Sequence, residues 1–123
     1  MDNKRILLVE DEPLLQKLYS DLLKTEGMNF ELATGGNSAY EKMKSGGYDL
    51  VLLDLLLPEL SGVEVIKKLQ SDPPEKPNKK IIFLTNLDSG KDFEEVKIMG
   101  FDCIVKSNFN PQELMNKVKS LLQ

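Results

Sequence analysis

No histidine occurs among the 123 residues, and there is one cysteine and one arginine. Without histidine, His-ligated zinc, Ser-His-Asp chemistry and an imidazole general base are excluded. The chain cannot itself carry a phosphohistidine. The single cysteine, Cys103, excludes an intrachain disulfide and a cysteine-built metal site. The single arginine, Arg5, leaves no guanidinium cluster for reading phosphates or base edges. With 20 acidic against 16 basic residues and a formal net charge of -4, the chain is expected to make no direct contact with nucleic acid. Long hydrophobic runs are also missing. The opening MDNKRILLVEDE returns to charge after a short apolar run, too short for a signal peptide or a membrane span. No membrane insertion is therefore expected, and the reducing cytoplasm is the expected compartment.

Hydrophobic residues at 41% and charged residues at 29% fit a soluble globule. A chain of this length buries roughly two thirds of its unfolded surface, enough for one core. One domain spanning residues 1–123 is expected.

Patterning along the chain alternates strictly. Residues 5–9 (RILLV) read as a buried strand ending at Glu10 and Asp11. Pro13 suits a first helical turn capped by Asp11 or Glu12, and Leu14, Leu15, Leu18, Leu22 and Leu23 recur at helical spacing until Gly27. A weaker strand at 29–34 leads to a helix opened by Asn37 or Ser38 and ended by Gly46–Gly47. Residues 48–53 are continuously apolar after Asp49, the mark of a strand covered on both faces. Ser61 and Glu64 form a capping box for the next helix. Three prolines place 71–80 in an exposed loop. Then follow a strand at 80–84, a looser helix at about 89–99, a strand at 101–105, and a helix from Pro111 to about Leu122 capped by Asn110. Five strands alternating with five helices predict an α/β, doubly wound parallel sheet of order 2-1-3-4-5, flavodoxin-like, with helices on both faces.

In that fold the carboxyl ends of the strands share one edge. Strand one ends in Glu10 and Asp11, strand three runs into Asp54, strand four into Thr85 and strand five into Lys106. Three crowded carboxylates stay ionised only if something cationic joins them. A hard divalent ion such as Mg²⁺ is the natural candidate. Lysine adds a point charge and threonine a hydroxyl donor. Together they describe a phosphoryl site in which an aspartate oxygen attacks in line. Each residue has a plainer role as helix cap or solvated loop group. Asp54 is the hardest to explain so, because it interrupts the most buried segment.

These motifs resemble the receiver domain of response regulators in two-component signalling, the CheY-like superfamily. The resemblance rests on VEDE with Glu10 and Asp11, on D-x-x-x-P-x-x-x-G at Asp54, Pro58 and Gly62, then on Thr85 and Lys106, and it covers the whole chain. It implies that Asp54 accepts the phosphoryl group, and that Asp11 ligates Mg²⁺ (Mn²⁺ as a substitute) with Glu10 acting through water. The Leu56 backbone carbonyl completes the protein ligands. Thr85 is the switch hydroxyl, and Lys106 pairs with the phosphoryl group or with Asp54. The implied donor is a phosphohistidine on a sensor histidine kinase or histidine phosphotransfer protein. The implied target is a downstream protein or a fused output domain, reached through the face of the fourth helix, fifth strand and fifth helix. Phe93, Phe101 and Phe109 are candidate contacts there. Slow hydrolysis of its own acyl phosphate is also implied.

Several positions depart from the family's pattern. Ser107 stands where most members have a cis proline, leaving open a strained cis bond or a trans bond with a different approach for Lys106. Cys103 replaces the aromatic switch residue. Asn86 either narrows the entrance or serves as a cap or turn residue. Leu56 and Leu87 flank the expected path of the hydrolytic water and offer it no hydrogen bond. A phosphorylation-independent protein-binding module on the same fold is the main alternative. A metal-dependent phosphatase lacks an acid or base beside Asp54, and a flavin module lacks a Ser/Thr/Gly-rich loop after strand one.

Overall fold

The structure is a computed structural model and describes residues 4–86 and 90–123. Five parallel strands form one sheet in the order β2-β1-β3-β4-β5. The strands are β1 (Arg5–Val9), β2 (Asn29–Ala33), β3 (Leu50–Asp54), β4 (Lys80–Thr85) and β5 (Asp102–Val105). Between and after them lie α1 (Pro13–Thr25), α2 (Gly36–Ser45), α3 (Gly62–Ser71), α4 (Lys91–Ile98) and α5 (Pro111–Leu121). The doubly wound architecture matches the expectation, and its sheet reverses order between β1 and β3.

Alternation along the strands divides the core. Leu7, Val9, Val51, Leu53 and Phe83 face one side, packed with Met43 of α2, Val63 and Ile66 of α3 and Val96 of α4. Ile6, Leu8, Leu50, Leu52 and Leu84 face the other, packed with Tyr19 and Leu23 of α1 and Leu114 and Val118 of α5. Burying each such leucine or valine contributes about 1.5–3 kcal/mol. Both faces of β1 and β3 are covered, which explains why their sequences read as unbroken apolar runs.

Helix starts follow the sequence signals in most cases. The expected capping box of Ser61 with Glu64 forms, and the expected cap Asn110 makes a second box with Glu113. Glu12 rather than Asp11 caps α1, accepting from the amides of Leu14 and Leu15. That leaves Asp11 exposed and available to the site. The start of α2 differs from expectation: Gly35 is its N-cap, and neither Asn37 nor Ser38 provides a side-chain cap.

One further expectation is corrected. Leu14 is 76% exposed, and Leu18 is also exposed. The apolar stripe of α1 is wider than the arc that meets the sheet, and Tyr19 and Leu23 take the buried places. Residues 71–80 are largely exposed, as expected, and the loop is also strapped down. The Asn78 amide donates to Met43 O at 3.0 Å, Glu75 N to Lys44 O at 2.9 Å, and Lys44 Nζ to Pro73 O at 2.7 Å. Gly46 bridges to Lys76, and a Cβ on Gly46 would sit 1.7 Å from Lys76 O.

Candidate functional site

The carboxyl edge gathers what the sequence pointed to. Glu10 follows the last residue of β1, Asp54 closes β3, and Lys106 opens a single 3₁₀ turn, Lys106–Asn108, directly after β5. All three are buried, at 1%, 6% and 9% exposure. They continue the side of the sheet occupied by Leu8, Leu52 and Ile104, the side toward α1 and α5. Thr85 ends β4 one residue beyond Leu84, which pairs with Asp54 across the ladder. Its place in the alternation matches Phe83 and sets it toward the opposite side of the sheet. The site therefore has side chains from both faces at its rim.

Lys106 Nζ donates to Glu10 Oε1 at 2.6 Å and to Asp54 Oδ2 at 3.2 Å. One ammonium thus serves two buried carboxylates, and it lies nearer Glu10 than Asp54. The other Asp54 oxygen, Oδ1, accepts from Leu56 N at 3.4 Å. The second Glu10 oxygen accepts from Glu12 N at 3.2 Å, and Gln16 Nε2 holds the Glu10 carbonyl at 2.8 Å. Glu10, Asp11 and Asp54 each bring a carboxylate oxygen within 4.8 Å of the others.

The electrostatics show a shortage of positive charge. Burial pushes the Asp54 carboxyl up to about 7; the adjacent Lys106 ammonium pulls it back down, and Glu10 adds to the rise. Burial works to lower the Lys106 pKa, but its bonds to Glu10 and Asp54 outweigh that, and it stays above the ordinary lysine range. The lysine is firmly charged and still cannot neutralise three carboxylates. An all-oxygen donor set with surplus negative charge fits a hard divalent cation, so the cluster can coordinate one.

Residues 6–119 match the family described as the response regulator receiver domain. The chain belongs to that family. Among curated proteins, the receiver is 34% identical over 118 residues to the probable transcriptional regulatory protein TcrX of Mycobacterium tuberculosis, covering 96% of this chain and 49% of TcrX. It is 32% identical over 123 residues to the uncharacterized transcriptional regulatory protein YkoG of Bacillus subtilis, covering 100% of this chain and 53% of YkoG. The chain thus spans about half the length of the curated relatives it matches. Among solved structures, a CheY-like receiver domain from Methanospirillum hungatei superposes with a TM-score of 0.81 at 27% identity, covering 98% of this chain and 94% of that one. Response regulator TrrA from Thermotoga maritima, solved in complex with Mg(2+)-BeF, gives a TM-score of 0.76 at 39% identity, covering 97% and 99%. The receiver fold and an acidic cluster of the kind found in phosphoryl-accepting response regulators are both present in this chain.

Among the described residues no peptide bond is cis, so Lys106–Ser107 is trans, and Lys106 reaches the carboxylates from the first position of the 3₁₀ turn. That turn carries no recognisable sequence signal. Cys103 is half-buried and packs with Phe101 and Met99 against the core on the α4 side. Phe93 is buried in α4 and Phe101 sits edge-on to Phe83 with ring centroids 5.7 Å apart, so these two serve packing rather than an exposed face. Phe109 is half-buried against the α1/α5 core. Asn86 does not cap α4, whose N-cap is Gly90; it is exposed and lines a groove with Tyr19, Lys106 and Ser107. Leu56 is 52% exposed beside Asp54. Leu87 lies outside the described residues.

Sequence reasoning missed Tyr19. Its ring is buried between α1 and the sheet, and its pKa is raised by burial, drawn down by Lys106 and raised further by Glu10 and Asp54. A polar-tipped aromatic in an otherwise leucine-rich stripe was the available signal.

Proposed function

We propose that this receiver accepts a phosphoryl group from a partner phosphohistidine onto Asp54 and uses it to switch a protein-binding face. The observation that carries this is the single ammonium of Lys106 held between Glu10 and Asp54, with Asp11 completing the acidic cluster. Glu10, Asp11, Asp54 and the Leu56 carbonyl would hold Mg²⁺, for which Mn²⁺ can substitute. Bound there, the ion supplies charge neutralisation for the transferring phosphoryl oxygens.

In the transfer, an Asp54 carboxylate oxygen attacks phosphorus. The new P–O bond forms as the P–N bond breaks, and that bond's electron pair stays with the imidazole nitrogen. Lys106 moves its second hydrogen bond from Asp54 to a phosphoryl oxygen while keeping Glu10. Thr85 donates its hydroxyl from the other side of the sheet. Its movement reaches α4, where Ile98 is exposed, and the adjoining β5–α5 face.

A groove of about 260 Å³ runs between α1 and the turn after β5, lined by Leu15, Leu18, Tyr19, Phe109 and Pro111 and opening at Lys106. With exposed Leu14 beside it, this groove is the approach for a sensor histidine kinase or histidine phosphotransfer protein. Because the named relatives are transcriptional regulators of about twice the length, the output is a fused domain or a separate protein rather than direct nucleic-acid contact by this domain. No described helix is long and apolar enough to cross a membrane, and the proposed setting is the cytoplasm. We further take residues 1–123 as one receiver domain.

The test is incubation with acetyl phosphate and Mg²⁺, read by intact mass and peptide mapping. One phosphoryl adduct on Asp54, absent in Asp54→Asn and without divalent cation, is expected. No adduct under any condition would leave the phosphorylation-independent binding module.

A further inference from the structure

Among the described residues, Glu59 is the one non-glycine with a positive φ, +73°. A side chain in the left-handed region crowds its own carbonyl, and such a conformation persists only where the surroundings hold it. Here the surroundings are the start of α2. That helix lacks a cap of its own, because Gly35 has no side chain to offer. Glu59 supplies one from a distant loop: its Oε1 accepts from Asn37 N at 3.3 Å. A carboxylate at this end also meets the positive end of the helix dipole.

The fit extends to the neighbours. Gly36 N donates to Pro58 O at 3.0 Å, and a Cβ on Gly36 would lie 2.1 Å from Leu60 O. A Cβ on Gly35 would lie 2.9 Å from the Glu59 carboxylate oxygen. Residues 58–60 are therefore seated flush on the first turn of α2. This loop leaves Asp54 and carries Leu56, three positions before Glu59. Its far end is closed by Gly62 N donating to Leu55 O at 2.9 Å.

We propose that Glu59 is a positioning residue: by clamping the loop after β3 onto the start of α2, it fixes the Leu56 carbonyl for the divalent cation. This rests on the reading of the Leu56 carbonyl as a metal ligand. The left-handed backbone of Glu59 brings its exposed carboxylate back to the first turn of α2, and a plain helix cap would need neither the strain nor a residue so far along the chain.

Mg²⁺ titration by calorimetry, alongside thermal melting, separates positioning from mere stabilisation. Glu59→Gly keeps the positive φ without strain and deletes the carboxylate. It should weaken Mg²⁺ binding by about tenfold, the low end for a group that acts through a ligand, with little change in melting temperature. Glu59→Gln retains the acceptor oxygen and should stay within about twofold of wild type. Adding Gly35→Asp to Glu59→Gly provides α2 with a local cap; melting temperature should rise while Mg²⁺ affinity stays low. Unchanged Mg²⁺ affinity in Glu59→Gly, or its recovery on adding Gly35→Asp, would overturn the positioning role while leaving the metal site intact. Wild-type protein that takes up no Mg²⁺ would overturn both.

Discussion

The two ends of the sheet carry charge in opposite ways. At the amino end, Arg5 pairs with Glu31 at 2.7 Å, Lys42 joins the same carboxylate at 3.3 Å, and Lys79 meets Asp49 at 3.1 Å. Arg5 also lies over the Tyr48 ring at 4.5 Å. The Arg5 guanidinium lowers the Glu31 pKa, and the Arg5 amide lowers that of Asp49. At the carboxyl end, one ammonium serves the two buried carboxylates Glu10 and Asp54 with Asp11 close by, and the Asp54 carboxyl is pushed the other way. The larger cleft, about 520 Å³, is at the amino end, lined by Arg5, Glu31, Lys42 and Tyr48; the chemistry is not. Matched, half-exposed charge gives modest stability, and mismatched, buried charge gives a capacity to bind. Volume does not tell the two apart, whereas charge balance does.

The largest expected effect comes from removing the cation that Glu10 and Asp54 share. Lys106→Met leaves Glu10 and Asp54 buried and uncompensated. A loss of about 3–5 kcal/mol at neutral pH is expected, measured by urea unfolding. Part of it should return at pH 5 or with added Mg²⁺. A loss as small as that of an exposed lysine would break the contrast.

Removing a carboxylate should do the reverse. In the folded chain Asp54 titrates at about 7 against an ordinary 3.8, so the folded state holds its proton more tightly. Its penalty is absent below about pH 4, grows between pH 4 and 7, and is complete above that. Asp54→Asn should therefore stabilise the metal-free protein at pH 8 by roughly 1–3 kcal/mol, with the gain fading toward pH 4. Melting curves across that range check it, and a gain independent of pH would contradict the assignment.

How legible was this in the residues themselves? The sheet order and the edge that carries the site followed from strand and helix periods, from Ser61 and Asn110 as caps, and from acidic residues placed after apolar runs. What stayed hidden was relational. Periodicity marks Leu14 and Leu18 as apolar without saying which part of the arc the sheet covers. Phe93 reads equally as surface or core. The lysine is evident at 106, but its sharing between two carboxylates depends on a 3₁₀ turn with no local signature. Glu59 offers no hint of its backbone, since that conformation is imposed from residues 35–37.

A third test concerns water at the carboxyl end. Leu56 places an exposed apolar side chain beside Asp54 and gives an attacking water no hydrogen bond. Leu56→Asn should shorten the half-life of the phosphorylated form several-fold, about 1 kcal/mol in barrier, followed by loss of the mass adduct with time. The smallest effect belongs to the amino end. Arg5→Met should cost about 1 kcal/mol or less, and salt should shrink the difference; a larger loss would mean that this cluster, too, is more than surface pairing.

The strap at 71–80 has a consequence for how the molecule is handled. By composition it is an exposed loop, with three prolines and several lysines. Stitched to the end of α2 through Asn78, Glu75 and Lys44 and closed around Gly46, it behaves as part of the rigid body. Tags, insertions and circular-permutation cuts placed there would pry at the seam between two helices instead of hanging freely from the surface.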